Sequence, residues 1–408
     1  MVTVAAFPGV HYNPDKIDDF SSVVAPPYDV INSREQDELY ERSPYNVIRL
    51  ILSKGEGDEK YVRASETFRK WTEQGILIQD NEEYVYPYYQ EFEEEGKVIT
   101  RKGFIAAVRL EDFSSKNILP HERTFAAPKL DRLKLTSACR ANLSPVFMIY
   151  SDPEGILERS IEERLSRSPV IDAVGNDDVK NRVWKISDPD LISEVKGNVL
   201  EKKLLIADGH HRYETALEYR NIQRREHGTG SGNEPYEYVM VYLCRAESEG
   251  LIIKPTHRVV KDLGSLKTHD VLKRLEGKFK LEKVPFNEGI ASLNHHEFAV
   301  IAKNLDFVIK VSLKEPLPVP YSNLGVMTLH KLVFGEIINE NEAGIFYTKS
   351  LEEARNLVGS GEYKLAFILS PLRATDIFDV VLADEKMPHK TTYFYPKLLS
   401  GLVFHLLY

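Results

Sequence analysis

Apolar residues recur at helical spacing over residues 59–74, where Tyr61, Ala64, Phe68 and Trp71 share one face and Gly75 supplies a stop. The stripe predicts an amphipathic helix packed on a core. It lies in a region from 1 to about 95 that opens with short strand-like pieces and the rigid segment Ala25-Pro26-Pro27-Tyr28-Asp29-Val30. From about 96 to 260 the pattern changes to strands, helices and polar loops. Residues 84–90 and 98–108 read as a hairpin with the acidic run 91–95 as a solvated tip, and 113–140 as a long polar connection with a helical piece. A strand over 144–150, a helix near 156–167 and a strand over 204–207 follow, the last turning into a helix from about 212 to 226. The glycine-rich stretch 228–232 has no strand immediately before it and reads as a linker rather than a phosphate loop. The remainder, 261–408, predicts a hairpin of 297–302 with 307–313, helices from about 328 and over 350–358, a strand over 364–369 and a short helix at 375–382. Such alternation implies an α+β chain with α/β-like elements in more than one lobe: 1–95, a core over 96–260, and 261–408.

Composition narrows the function classes. The chain has 408 residues, 42% hydrophobic and 28% charged, enough for a large core and for two or three domains. No apolar stretch approaches the roughly 20 residues of a membrane-spanning helix. The N-terminus lacks a basic n-region and reaches Pro8 and Gly9 before any signal-like run, so a cytoplasmic protein is expected. Cys139 and Cys244 lie far apart and form no CxxC motif, which predicts buried thiols rather than a disulfide framework or a zinc site. A net charge of -9 argues against broad contact with nucleic acid, while leaving room for a small anion held by a few local cations.

The sharpest chemical signal is Asp208-Gly209-His210-His211-Arg212, between an apolar strand and a helix. A helix start presents backbone N–H groups and the positive end of the helix dipole, both of which favour an anion. Arg212 adds a fork that matches phosphate oxygens, and either histidine can add a donor. Asp208 is placed to cap the helix, to hold a magnesium ion, or to meet a substrate amine. A second candidate is Pro120-His121-Glu122 in a loop, where Glu122 is either a proton acceptor or a solvated carboxylate. The third is Met387-Pro388-His389-Lys390-Thr391-Thr392-Tyr393-Phe394-Tyr395-Pro396-Lys397. There Lys390 and two hydroxyls can meet a phosphate or carboxylate, or the segment is an edge strand leading into a final helix. Arg140 and His257 border apolar strands, where they either line the same cleft or satisfy buried backbone groups. Walker A, protein-kinase and Gly-x-Ser-x-Gly signatures are not found.

Three of these segments, in order, resemble motifs of the free serine kinases of the ParB and sulfiredoxin superfamily: Pro120-His121-Glu122, Asp208-Gly209-His210-His211-Arg212 and Lys390-Thr391-Thr392. The chain as a whole also resembles a bacterial and archaeal family long labelled a domain of unknown function. The resemblance implies a ParB/sulfiredoxin-like nucleotide-binding core and transfer of the terminal phosphoryl group of ATP or ADP to L-serine, giving O-phosphoserine. It implies that Glu122 is the general base. Gly209, His210, His211 and Arg212 would hold phosphates with Mg2+ near Asp208, and Lys390, Thr391 and Thr392 would meet the substrate; Arg140 and His257 join them as substrate-binding candidates on their loop positions alone. This sequence departs from those kinases in an inserted region from about 125 to 200, in an extra N-terminal region, and in the Tyr393-Phe394-Tyr395 continuation. A nucleotide-binding switch, as in ParB-like partition proteins that bind DNA, is the rival reading, against which the acidic charge speaks. Sulfiredoxin-like repair would require cysteine where His210 stands. A homo-oligomer is compatible with the sequence.

Overall fold

The computed structural model describes residues 1–122, 124, 126–303, 305–318, 322–339 and 343–408. Its architecture is α+β, and the chain divides into two units. The first comprises Met1–Pro120, Thr124–Ile252 and Pro396–Tyr408; the second comprises His121–Arg123 and Ile253–Tyr395. Residues 1–95 thus pack in the same unit as 124–252 and as the C-terminal 13 residues.

Among the described residues, the first unit is built on a mixed nine-stranded sheet. Its order is Ile118–Pro120, Leu204–Asp208, Val146–Tyr150, Tyr238–Arg245, Lys97–Arg109, Tyr86–Glu94, Lys180–Val183 and Ile171–Val174, with Val4–Ala5 pairing on Lys97–Arg109. Leu204–Asp208 runs parallel to Ile118–Pro120 and antiparallel to Val146–Tyr150. Phe104, Val146, Met148, Leu204, Ile206 and Leu243 share a core with Leu157, Ile161, Leu191, Val195 and Tyr213 from three helices. Continuous apolar runs such as residues 204–206 are what a strand buried on both faces requires. The Glu59–Glu73 helix forms as its periodicity predicts. It buries Tyr61, Ala64, Phe68 and Trp71 in a second core with Val10, Tyr12 and Phe404, and Gly75 at φ 64° ends it.

The hairpin of Tyr86–Glu94 with Lys97–Arg109 differs from expectation at its tip. The acidic run is mostly strand, only Glu95 and Gly96 turn, and Glu91 pairs with Lys180 at 2.6 Å and Arg182 at 3.4 Å on the neighbouring strand. Cys139 and Cys244 are buried thiols that burial pushes up to about 12. Among the described residues no helix is long and apolar enough to cross a membrane.

The second unit carries a six-stranded sheet in the order Phe279–Pro285, Phe307–Leu313, Phe298–Ala302, Leu365–Leu369, His257–Val260 and Ile345–Thr348. Its Leu351–Ser360 helix packs Ala354 and Val358 on Val259, Ala299, Ile301, Ala366 and Ile368. A separate two-stranded ladder joins Ile252–Pro255 to Thr392–Tyr395. No final helix follows that ladder: residues 396–408 run through the first unit in extended segments, pairing with residues 10, 25 and 141–142.

Burial lowers three histidines furthest: His257 to about 4, His330 to about 3, where Arg258 and His389 add repulsion, and His405 to about 4. Each is therefore neutral in the fold and more basic when unfolded. Their contribution is complete above pH about 6.5 and is lost as pH falls toward the folded values. For His257 the difference is on the order of 3 kcal/mol. The thermal midpoint is expected to fall as pH drops from 7 to 4, and His257→Gln to flatten that fall. An equally steep decline in the variant would remove His257 from the cause.

Candidate functional site

The Leu204–Asp208 strand buries Leu204, Leu205 and Ile206 completely, and its register shifts between Ile206 and Asp208, so Ala207 is passed over and Asp208 pairs with Phe147 at the strand's end. Gly209 at φ 90° is the helix N-cap, and the His210–His227 helix begins two residues earlier than its apolar pattern suggests. Asp208 is consequently not the cap; Gly209, which has no side chain, takes that place. A Cβ on residue 209 would stand 2.9 Å from the Arg212 guanidinium, so glycine serves both the left-handed backbone and the arginine's place. The helix is anchored along its length. Tyr213 Oη donates to the Glu111 carbonyl at 2.8 Å, Glu214 accepts from Thr124 and Lys129, and Arg220 donates to the Leu110 carbonyl at 2.7 Å.

Asp208 is clamped by two cations. Arg212 Nη2 lies 2.6 Å from Oδ2 and Lys397 Nζ lies 2.5 Å from Oδ1. Arg212 also donates to the Pro145 carbonyl. Burial alone would raise the Asp208 carboxyl; Lys397 and then Arg212 outweigh it and hold the group far below the usual carboxylate range. Two cations thus meet one carboxylate beside a helix start, where backbone N–H groups and the helix dipole favour negative charge. His210 is buried in the first helical turn; His211 beside it is half-buried, and burial lowers it.

Lys397 reaches this turn from 189 residues away because its backbone is tied down. Pro396 O accepts from Arg101 Nη2 at 2.6 Å, Lys397 O from Gln90 Nε2 at 3.0 Å, and Leu399 N–H donates to Tyr88 Oη at 3.3 Å. Arg101 is fully buried, bonded to Gln90 and lying over the Phe147 ring at 4.8 Å. Beside Arg212 lies a small cavity of about 50 Å³ whose walls include Tyr28, Ile51, Arg132, Asn142, Ser144 and Thr215. Tyr28 carries the Arg132 guanidinium 4.0 Å above its ring, so the N-terminal region supplies part of that wall.

In the second unit two of the sequence motifs meet. His121 is fully buried, with Nε2 2.9 Å from Thr392 Oγ1, its ring 6.2 Å from Phe394, and its carbonyl accepting the Met387 N–H at 2.8 Å. Glu122 Oε1 stands 3.9 Å from His121 Nε2, with a side chain 19% exposed. Thr391 is buried, its hydroxyl donating to the Pro388 carbonyl at 2.5 Å. Lys390 is exposed at φ 53°, its ammonium 5.2 Å from the centre of the Tyr347 ring. His257 Nδ1 accepts the Leu369 N–H at 3.2 Å within the sheet, so this ring serves a backbone group. Arg140, in the first unit, is exposed at the end of the Ala126–Cys139 helix with its guanidinium 4.8 Å from the Tyr408 ring.

Among the described residues no group of three or more His, Cys, Asp or Glu side chains forms a cluster fit for a metal ion. Asp208 is the residue that would hold a magnesium ion, and both of its oxygens are already paired with cations, Arg212 and Lys397. The sequence offered no signal for Lys397 beyond its place in a polar, aromatic segment, nor for the Arg101–Gln90 tether or Tyr28.

Among solved structures the chain is similar to a conserved hypothetical protein from Pyrococcus furiosus, at 16% identity over 72% of this chain and 94% of that one, with a TM-score of 0.37. It is similar to a free serine kinase in complex with AMP at 16% identity, 72% and 90% coverage and a TM-score of 0.36. SbnI with C-terminal truncation from Staphylococcus aureus follows at 11% identity, 73% and 86% coverage and a TM-score of 0.37. No curated protein matches the sequence. A family model described as a protein of unknown function, DUF1015, matches residues 4–332, and the chain belongs to that family.

Proposed function

We propose that this protein is a small-molecule phosphotransferase that moves the terminal phosphoryl group of ATP or ADP to the hydroxyl of L-serine. The observation that carries the reading is the helix start at Gly209 with Arg212 and Lys397 beside it. Phosphoryl transfer asks chiefly for positioning and for neutralisation of charge on the phosphate oxygens, and this turn offers backbone N–H groups, a fork and an ammonium for both. Mg2+ near Asp208 would supply further charge neutralisation.

In the transfer, the serine oxygen forms a bond to the terminal phosphorus as the bridging P–O bond breaks. The nucleotide leaves one phosphate shorter, and the hydroxyl proton passes to a carboxylate. Glu122 is assigned that proton from its Pro-His-Glu motif, and the partly exposed carboxylate beside a fixed His121 is consistent with the role. Lys390, the exposed member of its motif, is assigned to the substrate carboxylate. Incubation with magnesium, L-serine and either ATP or ADP is expected to yield O-phosphoserine. No product with either nucleotide would reject the serine assignment.

A further inference from the structure

A cavity of about 390 Å³ opens in the second unit, walled by Asn294, His296, Ser312, Leu313, Pro316 and Asn323. That volume lies in the range of small-molecule sites. Its walls are tied to one another. The Gly325 N–H donates to the His295 carbonyl at 2.8 Å, and a Cβ at Gly325 would collide with the Glu297 carbonyl, so the Gly325–Thr328 helix is seated against the turn at 294–297. Asn323 Oδ1 accepts the Leu317 N–H at 2.7 Å, and the Asn323 carbonyl lies 3.4 Å from His296 Nδ1. We infer that this cavity binds a neutral heterocycle whose polar edge runs acceptor, donor, acceptor, as the imide edge of uracil does. The inference is independent of the phosphotransferase reading and uses none of its residues.

The class of ligand follows from the atoms that the walls have left to offer. Asn294 Oδ1 accepts the His296 N–H at 2.9 Å and Asn323 Oδ1 is taken by Leu317, so each amide offers a ligand its Nδ2 group, a donor. Among the described residues neither Nδ2 group has a partner. The Asn323 carbonyl can only accept, which assigns the proton of the neutral His296 ring to Nδ1 and leaves Nε2 as an acceptor. Ser312 Oγ serves either way. Two donors and one acceptor are the complement of an edge with two carbonyl oxygens and one N–H. Charge is balanced beside this set, because Glu297 pairs with Lys310 at 3.1 Å. An ion entering the cavity would therefore give up water without gaining a counter-charge. Leu313 and Pro316 supply apolar surface for the faces of a flat ring.

Calorimetric titration of the full chain with uridine is expected to show one saturable site with a Kd of about 1 mM or tighter, the scale of a few neutral hydrogen bonds with burial of one ring. Cytidine, whose edge carries an amine and an unprotonated ring nitrogen, should bind about tenfold or more weakly than uridine, and so should N3-methyluridine, which has lost the donor. Asn294→Asp exchanges a donor for an acceptor in the same shape and is expected to weaken uridine binding by about tenfold or more. Asn294 is exposed, so the change leaves the core untouched, and a thermal melt matching the parent chain checks this. His296→Phe keeps a ring without the acceptor, and the preference for uridine over N3-methyluridine should vanish with it. Absence of saturable heat with uridine, equal affinity for cytidine, or unchanged binding by Asn294→Asp would overturn the inference. Glucose binding as tightly as uridine would overturn it as well, since hydroxyls donate and accept alike and need no ordered edge.

Discussion

Replacement of Glu122 by Gln is expected to lower serine phosphorylation by about a hundredfold or more while leaving nucleotide affinity unchanged, the usual scale for a lost general base. Gln keeps the size and hydrogen-bonding reach of the side chain but cannot take a proton. The neighbouring fixture is independent of the change: His121 is held by Thr392 and Met387, so the loop keeps its course in the variant. Single-turnover rates with saturating serine, paired with nucleotide titration, separate the two quantities. Near-normal turnover in Glu122→Gln would remove this residue from proton transfer, and a parallel loss of nucleotide affinity would recast it as a binding group.

Arg212→Met should cost about a hundredfold or more in kcat/KM, as removal of one preorganised donor from a site of developing charge typically does. Arg212 does two jobs that no other residue type combines here, gripping Asp208 and the Pro145 carbonyl at once beside a helix start. Arg212→Lys is therefore expected to recover little, since an ammonium lacks the fork that spans both acceptors. A lysine variant with nearly full kcat/KM would show that only the charge matters. Thermal melts distinguish this loss from unfolding, because the carboxylate retains Lys397 in either variant.

Much of the local structure was legible because it depends on neighbours in the chain. Four buried residues at helical spacing and a glycine stop are sufficient for the Glu59–Glu73 helix. An apolar run followed by Gly209 is sufficient for the strand and helix that meet at this turn. The helix started early because Gly209, at positive φ, admits the chain to the helix directly, without the capping side chain that a sequence reading looks for. The C-terminal segment was the harder case. Its apolar composition suits a helix as well as an extended strand, and the choice is made by partners far away: backbone bonds to residues 10 and 25, and Gly401 at φ 94° against Val47. Lys397 illustrates the same limit at the site. Motif spacing drew attention to Lys390, seven positions earlier, while the lysine that touches Asp208 owes its position to Arg101 and Gln90.

The first unit is interrupted in sequence by residues 253–395 and completed only by Pro396–Tyr408. Contacts of such large sequence separation form late and slowly, since the intervening chain must be ordered or looped out before they can close. During synthesis, a ribosome-bound chain that has emerged only as far as Tyr395 has the anion turn but lacks the ammonium that completes it. Formation of the Lys397–Asp208 pair thus waits for the segment that follows residues 253–395, and a circular permutant that joins residues 396–408 to the N-terminus of this unit would assemble it earlier.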